Sequence, residues 1–335
     1  MGTQSHIKIA TRGSKLALWQ SKYVASLLEA KGFTVSLNII KTTGDRVQDR
    51  FLHDIGGKGL FVRELERSMH DGDSDIAVHS LKDLPAVTKS PFCLPAILKR
   101  HMACDALILS DKAARKLEGI GSELKKEHAH LLEGMKIATS SLRRQSLLKG
   151  VCSKLELFAV RGNVDTRIQK LSDNGWDGII LAAASLERLG LLDLPYKLMD
   201  IDWFIPCAAQ GALAIECLED HPLRHTIAEL SDQVTYKAAS IERAVLAALG
   251  GDCTMPVGIH ASEVQQGDGK LSNFNAVVSD YEGYTVSFSL KHKGALINLD
   301  TQDIAGKIVL GLKANGLDKT LEQLKKSTPD LGDVY

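Results

Sequence analysis

The sequence lacks the features of secreted, membrane-spanning and cysteine-rich metal proteins. Its 335 residues include six cysteines, and none of them forms a C-x-x-C pair. A chain of this length needs no disulfides to supply a core, so we expect reduced thiols and no metal site. The first residues are polar, which predicts no secretory signal, and no apolar run approaches about 18 residues, which predicts no transmembrane helix. We therefore expect a cytoplasmic protein.

An excess of charge of one sign is also missing. Lysine and arginine number 41, aspartate and glutamate number 41, and the formal net charge is +0. The composition therefore indicates no nucleic acid and no membrane as a partner. Hydrophobic residues make up 44% of the chain, which suffices for real cores, and the length favours two or three domains.

Strand and helix patterns alternate in the first two thirds of the chain. This order predicts α/β domains with mostly parallel sheets. Ser14 can cap the first helix, in which Leu16, Trp19, Tyr23 and Leu27 should fall on one face. Strand patterns cover residues 7–10, 35–39, 75–79, 136–139, 155–160 and 178–182.

The rest of the chain differs in character. Residues 111–134 are charged and predict an exposed helical excursion. A helix at 238–249, two strands near 271–279 and 284–291, and two further helices predict a small α+β domain at the end. Short likenesses between the two α/β regions hint at duplication.

Small hydroxyl residues and arginines follow two of the predicted strands. Residues 11–14 (TRGS) and 139–144 (TSSLRR) lie where strands lead into helices, and Arg161 and Arg167 follow another strand. A helix N-terminus with arginines suits a carboxylate or phosphate, because guanidinium groups bind oxyanions through paired hydrogen bonds. The alternative is an ordinary helix cap beside solvated arginines.

Asp83 follows the strand at 75–79, and Pro85 keeps the segment from continuing as a helix. One interpretation is a turn aspartate or a salt-bridge partner. The other is a catalytic carboxylate, which could stabilise a developing cation and move a proton.

Two glycine-containing loops also carry candidate site residues. Residues 56–59 (GGKG) lie in a long polar loop and match neither G-x-G-x-x-G nor a P-loop, so we expect a lid from which Lys58 reaches a ligand. Cys253 lies on a second loop, where it is either a buried small hydrophobe or a usable thiol.

Together these segments resemble the porphobilinogen deaminase (hydroxymethylbilane synthase) family of tetrapyrrole biosynthesis, from Ile9 to Pro256. The matching motifs include ATRGS at 10–14, HSLKDLP at 79–85, TSSLRRQ at 139–145, RGNV at 161–164 and GDCTMP at 251–256. The resemblance implies two periplasmic-binding-protein-like α/β domains plus a small α+β C-terminal domain. Domain 1 would comprise residues 1–99 and 211–230 with a lid at 42–59, domain 2 residues 100–210, and domain 3 residues 234–335.

The resemblance also implies a transferase. Cys253 would hold one covalent dipyrromethane cofactor per chain by a thioether bond, as a primer for four porphobilinogen units that each lose ammonia. Hydrolysis would release hydroxymethylbilane from a monomeric enzyme and pass it to uroporphyrinogen-III synthase.

The resemblance further implies roles for matched residues. Asp83 would bind pyrrole N–H groups, stabilise the cationic azafulvene and assist proton transfer. The implied cofactor-binding residues are Ser80, Lys82, Asp83, Thr139, Ser140, Ser141, Arg143, Arg144, Arg161, Ser185, Arg188 and Cys253. The implied substrate-binding residues are Arg12, Ser14, Lys58, Phe61, Arg161, Arg167 and Gln210. Asp54, Ser185 and Asp252 depart from the residues common in the family.

Two other function classes compete with this one. A non-catalytic, two-lobed anion-binding protein would explain the α/β domains and the arginines, but it needs neither Cys253 nor the lid. A nucleotide enzyme lacks its glycine fingerprint. Loss of porphobilinogen consumption on changing Asp83 would separate the first two.

Overall fold

The computed structural model describes residues 6–41, 62–251 and 255–327. The chain divides into two compact units, Met1–His101 with Gly211–Tyr236 and Met102–Gln210 with Lys237–Tyr335. The division into three domains stays a prediction. Several sequence predictions lie outside the described residues: the lid at 42–59, Asp54, Lys58, Phe61, Asp252 and Cys253.

The helices and strands follow one another as the alternating patterns predict. The first half of the chain contains β1 (His6–Arg12), α1 (Lys15–Glu29), β2 (Thr34–Ile40), α2 (Arg63–His70), β3 (Ile76–Ser80), a 3-10 turn (Leu81–Asp83), β4 (Phe92–Ile97), β5 (Asp105–Leu109), α3 (Asp111–Lys116), β6 (Glu123–Leu124), a second 3-10 turn (Lys126–Leu132), β7 (Lys136–Ala138), α4 (Leu142–Lys149) and β8 (Glu156–Phe158).

The second half contains α5 (Val164–Asp173), β9 (Gly178–Ala182), α6 (Ala183–Leu189), β10 (Tyr196–Met199), β11 (Leu213–Leu218), α7 (Arg224–Ala228), α8 (Gln233–Ala248), β12 (Val257–Gln266), β13 (Gly269–Ser279), β14 (Thr285–Lys293), a third 3-10 turn (Leu296–Asn298), α9 (Thr301–Ala314) and α10 (Leu317–Lys326). Strands β4, β5, β6, β10, β11 and β12 were not predicted. Residues from Lys237 onward in α8 belong to the second unit.

The first unit has a five-stranded sheet in the order β2-β1-β3-β11-β4. Strand β1 is parallel to both β2 and β3, whereas β11 is antiparallel to β3 and β4. The core contains Ile7, Ile9, Ile76, Val78 and Ile215, from the three central strands. The prediction of a mostly parallel sheet therefore holds for the first three strands, and β11 is the exception.

Helix α1 begins where the sequence predicts. The Oγ of Ser14 accepts the N–H of Ala17 at 3.2 Å, which satisfies a free donor of the first turn. The predicted face packs against the core, because Trp19, Tyr23 and Leu27 contact its buried residues. Gln20, Ser21, Val24 and Leu28 are the buried residues, whereas the predicted residues Leu16, Trp19, Tyr23 and Leu27 are half-buried. Trp19 and Tyr23 stack on each other, with ring centroids 5.4 Å apart, which shields them only in part.

The second unit has a six-stranded sheet in the order β6-β10-β5-β9-β7-β8. Strand β7 is parallel to β8 and β9, so it occupies the same place as β1 in the other sheet. Strand β5 runs antiparallel to both of its neighbours, β9 and β10, whereas β10 is parallel to β6. The similar segments 9–11 and 137–139 thus lie on strands with equivalent neighbours.

The excursion at 111–134 is not simply exposed and helical, as predicted. Leu117, Leu124 and Leu132 are fully buried and belong to the same core as Leu107 and Ile137. Strand β6 also pairs with β10 at the edge of the sheet. Its leucines therefore extend the core of the second unit, and its charged residues cover them.

The chain ends in a three-stranded antiparallel sheet, β12-β13-β14. Helices α9 and α10 cover this sheet, with Ile308 and Leu312 in one core with Phe274. Within the described ranges, no helix combines the length and apolar character that crossing a membrane requires.

Candidate active site

In the first unit, the predicted site residues follow two neighbouring parallel strands. Arg12 is the last residue of β1, and Ser14 caps the next helix. Ser80 ends β3, and Lys82 and Asp83 follow it. Carboxyl ends of parallel neighbours share one edge of a sheet, which is where open α/β sheets bind ligands. The structure therefore brings these residues to one edge of the first sheet.

Asp83 lies on a turn that two buried leucines hold in place. Leu81 is fully buried and its N–H donates to the carbonyl of Ala212 at 3.0 Å. Leu84 is also buried and takes an extended conformation (φ −79°, ψ 149°), as the residue before Pro85 requires. Between these anchors, Asp83 is exposed. The shaped loop that Pro85 predicts is confirmed.

A hydrogen bond that the sequence did not predict fixes Ser80. The side-chain amide of Gln20 donates to the Oγ of Ser80 at 2.8 Å. Gln20 lies on α1 and is only 4% exposed, so this bond is shielded from water. A polar residue at a buried helix position is the sequence signal that could have revealed it.

The ring Nε2 of His79 lies 2.9 Å from the carboxylate of Glu216, and both side chains are buried. This contact joins β3 to β11 and agrees with a structural interpretation of His79. Glu66, on α2, lies close to the pair. Burial raises the pKa of Glu66 above its ordinary value, and the negative charge of Glu216 adds to that shift.

In the second unit, predicted site residues again follow parallel neighbours. Thr139, Ser140 and Ser141 follow β7, Arg161 follows β8 closely, and Ser185 and Arg188 lie on α6, which follows β9. Ser140 joins two of these strand ends, because its Oγ donates to the carbonyl of Val160 at 2.5 Å and accepts the N–H of Val160 at 2.9 Å. These residues share one edge of the second sheet.

Arg143 and Arg144 are buried on α4 and share one carboxylate, Asp105. Arg143 Nη2 donates to Asp105 Oδ2 at 2.6 Å, and Arg144 donates to Asp105 Oδ1 from Nη2 at 2.7 Å and Nε at 3.1 Å. Each guanidinium also bonds a backbone carbonyl, Ile205 for Arg143 at 2.9 Å and Ile180 for Arg144 at 2.8 Å. The interpretation as solvated arginines is therefore wrong for this pair.

Asp105 is the residue that sequence reasoning missed. It is fully buried at the start of β5. Burial alone would raise its pKa, but the guanidiniums of Arg143 and Arg144 hold the pKa of Asp105 well below its usual range. An aspartate that leads an otherwise apolar strand was the available signal. Gln210, also fully buried, donates to Asp105 Oδ1 at 3.0 Å and to the carbonyl of Ala103 at 2.7 Å.

Arg143 retains a buried donor that suits an oxyanion. The Nε of Arg143 is buried, and no described residue accepts a hydrogen bond from it. Arg161 and Arg188 are 8% and 5% exposed, and Arg167 donates from Nε to the carbonyl of Gly162 at 2.7 Å. Guanidinium groups beside hydroxyls at strand ends form the donor set that a molecule with several carboxylates requires.

The chain is similar to known proteins along most of its length. A family model described as "Porphobilinogen deaminase, dipyromethane cofactor binding domain" matches residues 7–225. A porphobilinogen deaminase of Sulfurimonas denitrificans is 43% identical over 263 residues, 77% of this chain and 80% of that protein. One of Xanthomonas oryzae pv. oryzae is 39% identical over 321 residues, 95% of this chain and 99% of that protein.

A similarity to solved structures is much weaker. A probable amino-acid ABC transporter extracellular-binding protein from Bacillus subtilis aligns over 74% of this chain and 99% of its own, with a TM-score of 0.41 and 11% identity.

Proposed function

The chain belongs to the porphobilinogen deaminase family, and we propose that the polar strand ends of its two sheets bind the carboxylate-rich pyrroles of this family's reaction. The enzyme is a transferase, hydroxymethylbilane synthase. It condenses four porphobilinogen molecules head to tail on a covalent dipyrromethane primer with loss of ammonia, and hydrolysis releases linear hydroxymethylbilane.

The observation that supports the binding role most strongly is the burial of four arginines in one unit. Arg143, Arg144, Arg161 and Arg188 are each under 9% exposed, so their guanidiniums lie where water competes little for an oxyanion. Each pyrrole of the chain bears an acetate and a propionate, so a growing product accumulates carboxylates. A set of fixed guanidiniums offsets that accumulating charge.

The donor set fits the dipyrromethane cofactor as well as the substrate. The buried Nε of Arg143 is a donor that suits a carboxylate of either one. Bound to Cys253, the cofactor supplies a covalent anchor and a pyrrole carbon for chain growth. The residues that would hold its carboxylates are Ser80, Lys82, Thr139, Ser140, Ser141, Arg143, Arg144, Arg161, Ser185 and Arg188.

In this proposal, a second set of residues binds the substrate. Arg12 and Ser14, at the end of β1, would bind the carboxylates of incoming porphobilinogen. Arg161, Arg167 and Lys58 would hold the elongating chain, and Phe61 would stack on a pyrrole ring. Gln210 cannot take its predicted part in substrate binding, because it is fully buried and both of its amide N–H groups are engaged.

In this proposal, Asp83 is the catalytic residue. Loss of ammonia turns porphobilinogen into a cationic pyrrole, and a carboxylate held beside the developing positive charge stabilises it. Asp83 is exposed on a turn that Leu81 and Leu84 anchor, so it can approach a ligand without disturbing the core. It would also accept and return the proton that moves in each condensation.

We further propose that the protein acts as a monomer of three domains in the cytoplasm. Linear hydroxymethylbilane must be cyclised to become a macrocycle, which makes uroporphyrinogen-III synthase the expected recipient of the product. The alternative of a non-catalytic anion-binding protein is not favoured, because the chain spans 99% of a porphobilinogen deaminase at 39% identity.

Changing Asp83 to Asn tests the catalytic assignment. General acid–base groups contribute about 10²–10⁴-fold, so Asp83→Asn should lower kcat for porphobilinogen consumption by about 100-fold or more with an unchanged melting temperature. Asp73→Asn, at an exposed aspartate of the same unit, is the matched control and should keep full activity. Unchanged consumption by Asp83→Asn would instead support the anion-binding alternative.

A further inference from the structure

Asp105 has no part in the roles proposed above, although it contacts two of the residues that carry them, Arg143 and Arg144. Both of its carboxylate oxygens are engaged, Oδ2 by Arg143 and Oδ1 by Arg144 and Gln210. A buried aspartate bound to two arginines leaves the cluster with one net positive charge. The cluster therefore stays able to attract an anion.

Hydrogen bonds hold each guanidinium of this cluster on two sides. Asp105 fixes one side of each guanidinium, and the carbonyls of Ile205 and Ile180 fix another. These hydrogen bonds use five of the ten N–H donors that two guanidiniums possess. Because the planar groups cannot rotate without breaking several bonds, their remaining donors point in set directions before any ligand arrives.

The cluster of Asp105, Arg143 and Arg144 is connected, through the carbonyl of Ile205, to the strand that follows Cys253 in the chain. Strand β12 begins at Val257, four residues after that cysteine, and Ile259 donates its N–H to the carbonyl of Pro206 at 2.8 Å. Gly258 lies so close to the carbonyl of Ile205 that no Cβ would fit there. The carbonyl that abuts Gly258 is therefore the one that Arg143 holds.

We propose that Asp105 is a positioning residue for cofactor binding: it fixes the guanidiniums of Arg143 and Arg144 toward the carboxylates of the dipyrromethane and, through Arg143, fixes the segment on which β12 packs. This inference rests on the proposed function, because it takes the arginine pair as carboxylate ligands. Asp105 itself touches neither cofactor nor substrate.

The test compares three variants of the full-length protein. Asp105→Asn removes the charge at constant size, and Asp105→Glu keeps the charge but displaces it by one methylene. Asp280→Asn is the matched control, since Asp280 is a buried aspartate of the same unit whose carboxylate accepts the backbone N–H groups of Glu282 and Tyr284. Intact mass under denaturing conditions gives the fraction of folded chains that carry the cofactor, and steady-state kinetics give KM and kcat.

Asp105→Asn should lower the cofactor-bearing fraction severalfold and raise KM by about tenfold in the chains that remain loaded, as the loss of a charge-assisted hydrogen bond implies. Asp105→Glu should recover part of both losses. Asp280→Asn should lower the melting temperature while its loading and KM stay at wild-type values.

Full loading and an unchanged KM in folded Asp105→Asn would overturn the inference, whatever its melting temperature. If Asp105→Asn does not fold, Asp105→Glu carries the same comparison, and failure of both to fold would reduce Asp105 to a structural ion-pair partner. Absence of the cofactor from the wild-type chain would instead contradict the proposed function, so the two failures are distinguishable.

Discussion

The side-chain amide of Gln20 donates a hydrogen bond to the hydroxyl of Ser80 over 2.8 Å and thereby joins helix α1 to the end of strand β3. Ser80 lies three residues before Asp83, at the edge where the first sheet collects its polar side chains. The bond leaves the Ser80 hydroxyl hydrogen available to donate to a bound carboxylate, because Ser80 acts as the acceptor from Gln20.

Replacing Gln20 by Leu should weaken binding more than it slows the chemistry. The side chain of similar size keeps the packing, but Ser80 loses the donor that orients it. We expect KM for porphobilinogen to rise by about three- to tenfold with kcat nearly unchanged, since a neutral hydrogen bond contributes about 0.5–1.5 kcal/mol. The Gln20→Leu/Ser80→Ala double variant should be no worse than Ser80→Ala alone. Additive effects on kcat/KM would show that Gln20 acts independently of Ser80.

The raised pKa of Glu66 makes a prediction about stability and pH. Burial and the charge of Glu216 raise this pKa above the ordinary 4.5, so the folded protein binds the proton more tightly than the unfolded chain does. Its stabilising contribution is present below about pH 4.5 and is lost as the pH rises through the folded pKa. Glu66→Gln should therefore raise the melting temperature at about pH 7.5, and the gain should shrink toward about pH 4.5.

Melting curves at both pH values test this prediction, with Glu29→Gln as the control at an exposed glutamate of α1. A gain that is equal at the two pH values would contradict a titrating cause.

The close contact between Gly150 and Gly283 should tolerate no side chain. A Cβ on Gly150, at the end of α4, would lie 2.5 Å from the carbonyl oxygen of Gly283, in the turn between β13 and β14. Overpacking of this kind costs about 1–3 kcal/mol, so Gly150→Ala should lower the free energy of unfolding by that amount in urea titrations. Gly119→Ala is the control, because nothing lies within 4 Å of its added Cβ. Equal stability of the two variants would mean that the backbone yields at Gly150.

Ala209 adopts a left-handed conformation, with φ at 60°, although it is not a glycine. Its N–H donates to the buried carboxylate of Glu242 at 2.5 Å, and this bond holds the backbone in place. The left-handed region costs an L-residue about 1–2 kcal/mol, and the greater freedom of an unfolded glycine offsets only part of that. Ala209→Gly should therefore raise the free energy of unfolding by about 0.5 kcal/mol.

The adjacent substitution Ala208→Gly is the control, since Ala208 is buried and has no positive φ. It should lower the free energy of unfolding in the same denaturant titration. A loss of stability in both variants would contradict the strain at Ala209.

The order of strands and helices could be predicted from the sequence because hydrophobic periodicity is a local property. The burial of Gln20 and Ser21 on α1 could not, because it depends on contacts that periodicity does not encode. Strand β12 was missed for a similar reason, since its pairing with β13 becomes visible only when the two segments are side by side.

The candidate site shows the same limit. Arg143 and Arg144 could be found as neighbours of a strand end, but their shared partner Asp105 lies 38 residues away along the chain. The sequence therefore predicts a carboxylate-binding role for this pair, which stays a prediction, and it missed the residue that holds the pair in place. Replacing either arginine should cost stability as well as binding, because Asp105 would be left buried with one partner fewer.

The intact mass of the purified protein under denaturing conditions tests the central claim most directly. If the chain is a hydroxymethylbilane synthase, active wild-type protein carries one dipyrromethane per chain, and Cys253→Ser, purified in the same way, has the mass of the unmodified polypeptide and consumes no porphobilinogen. Active wild-type protein without the added mass, or a Cys253→Ser variant that retains both the adduct and the activity, would contradict the account.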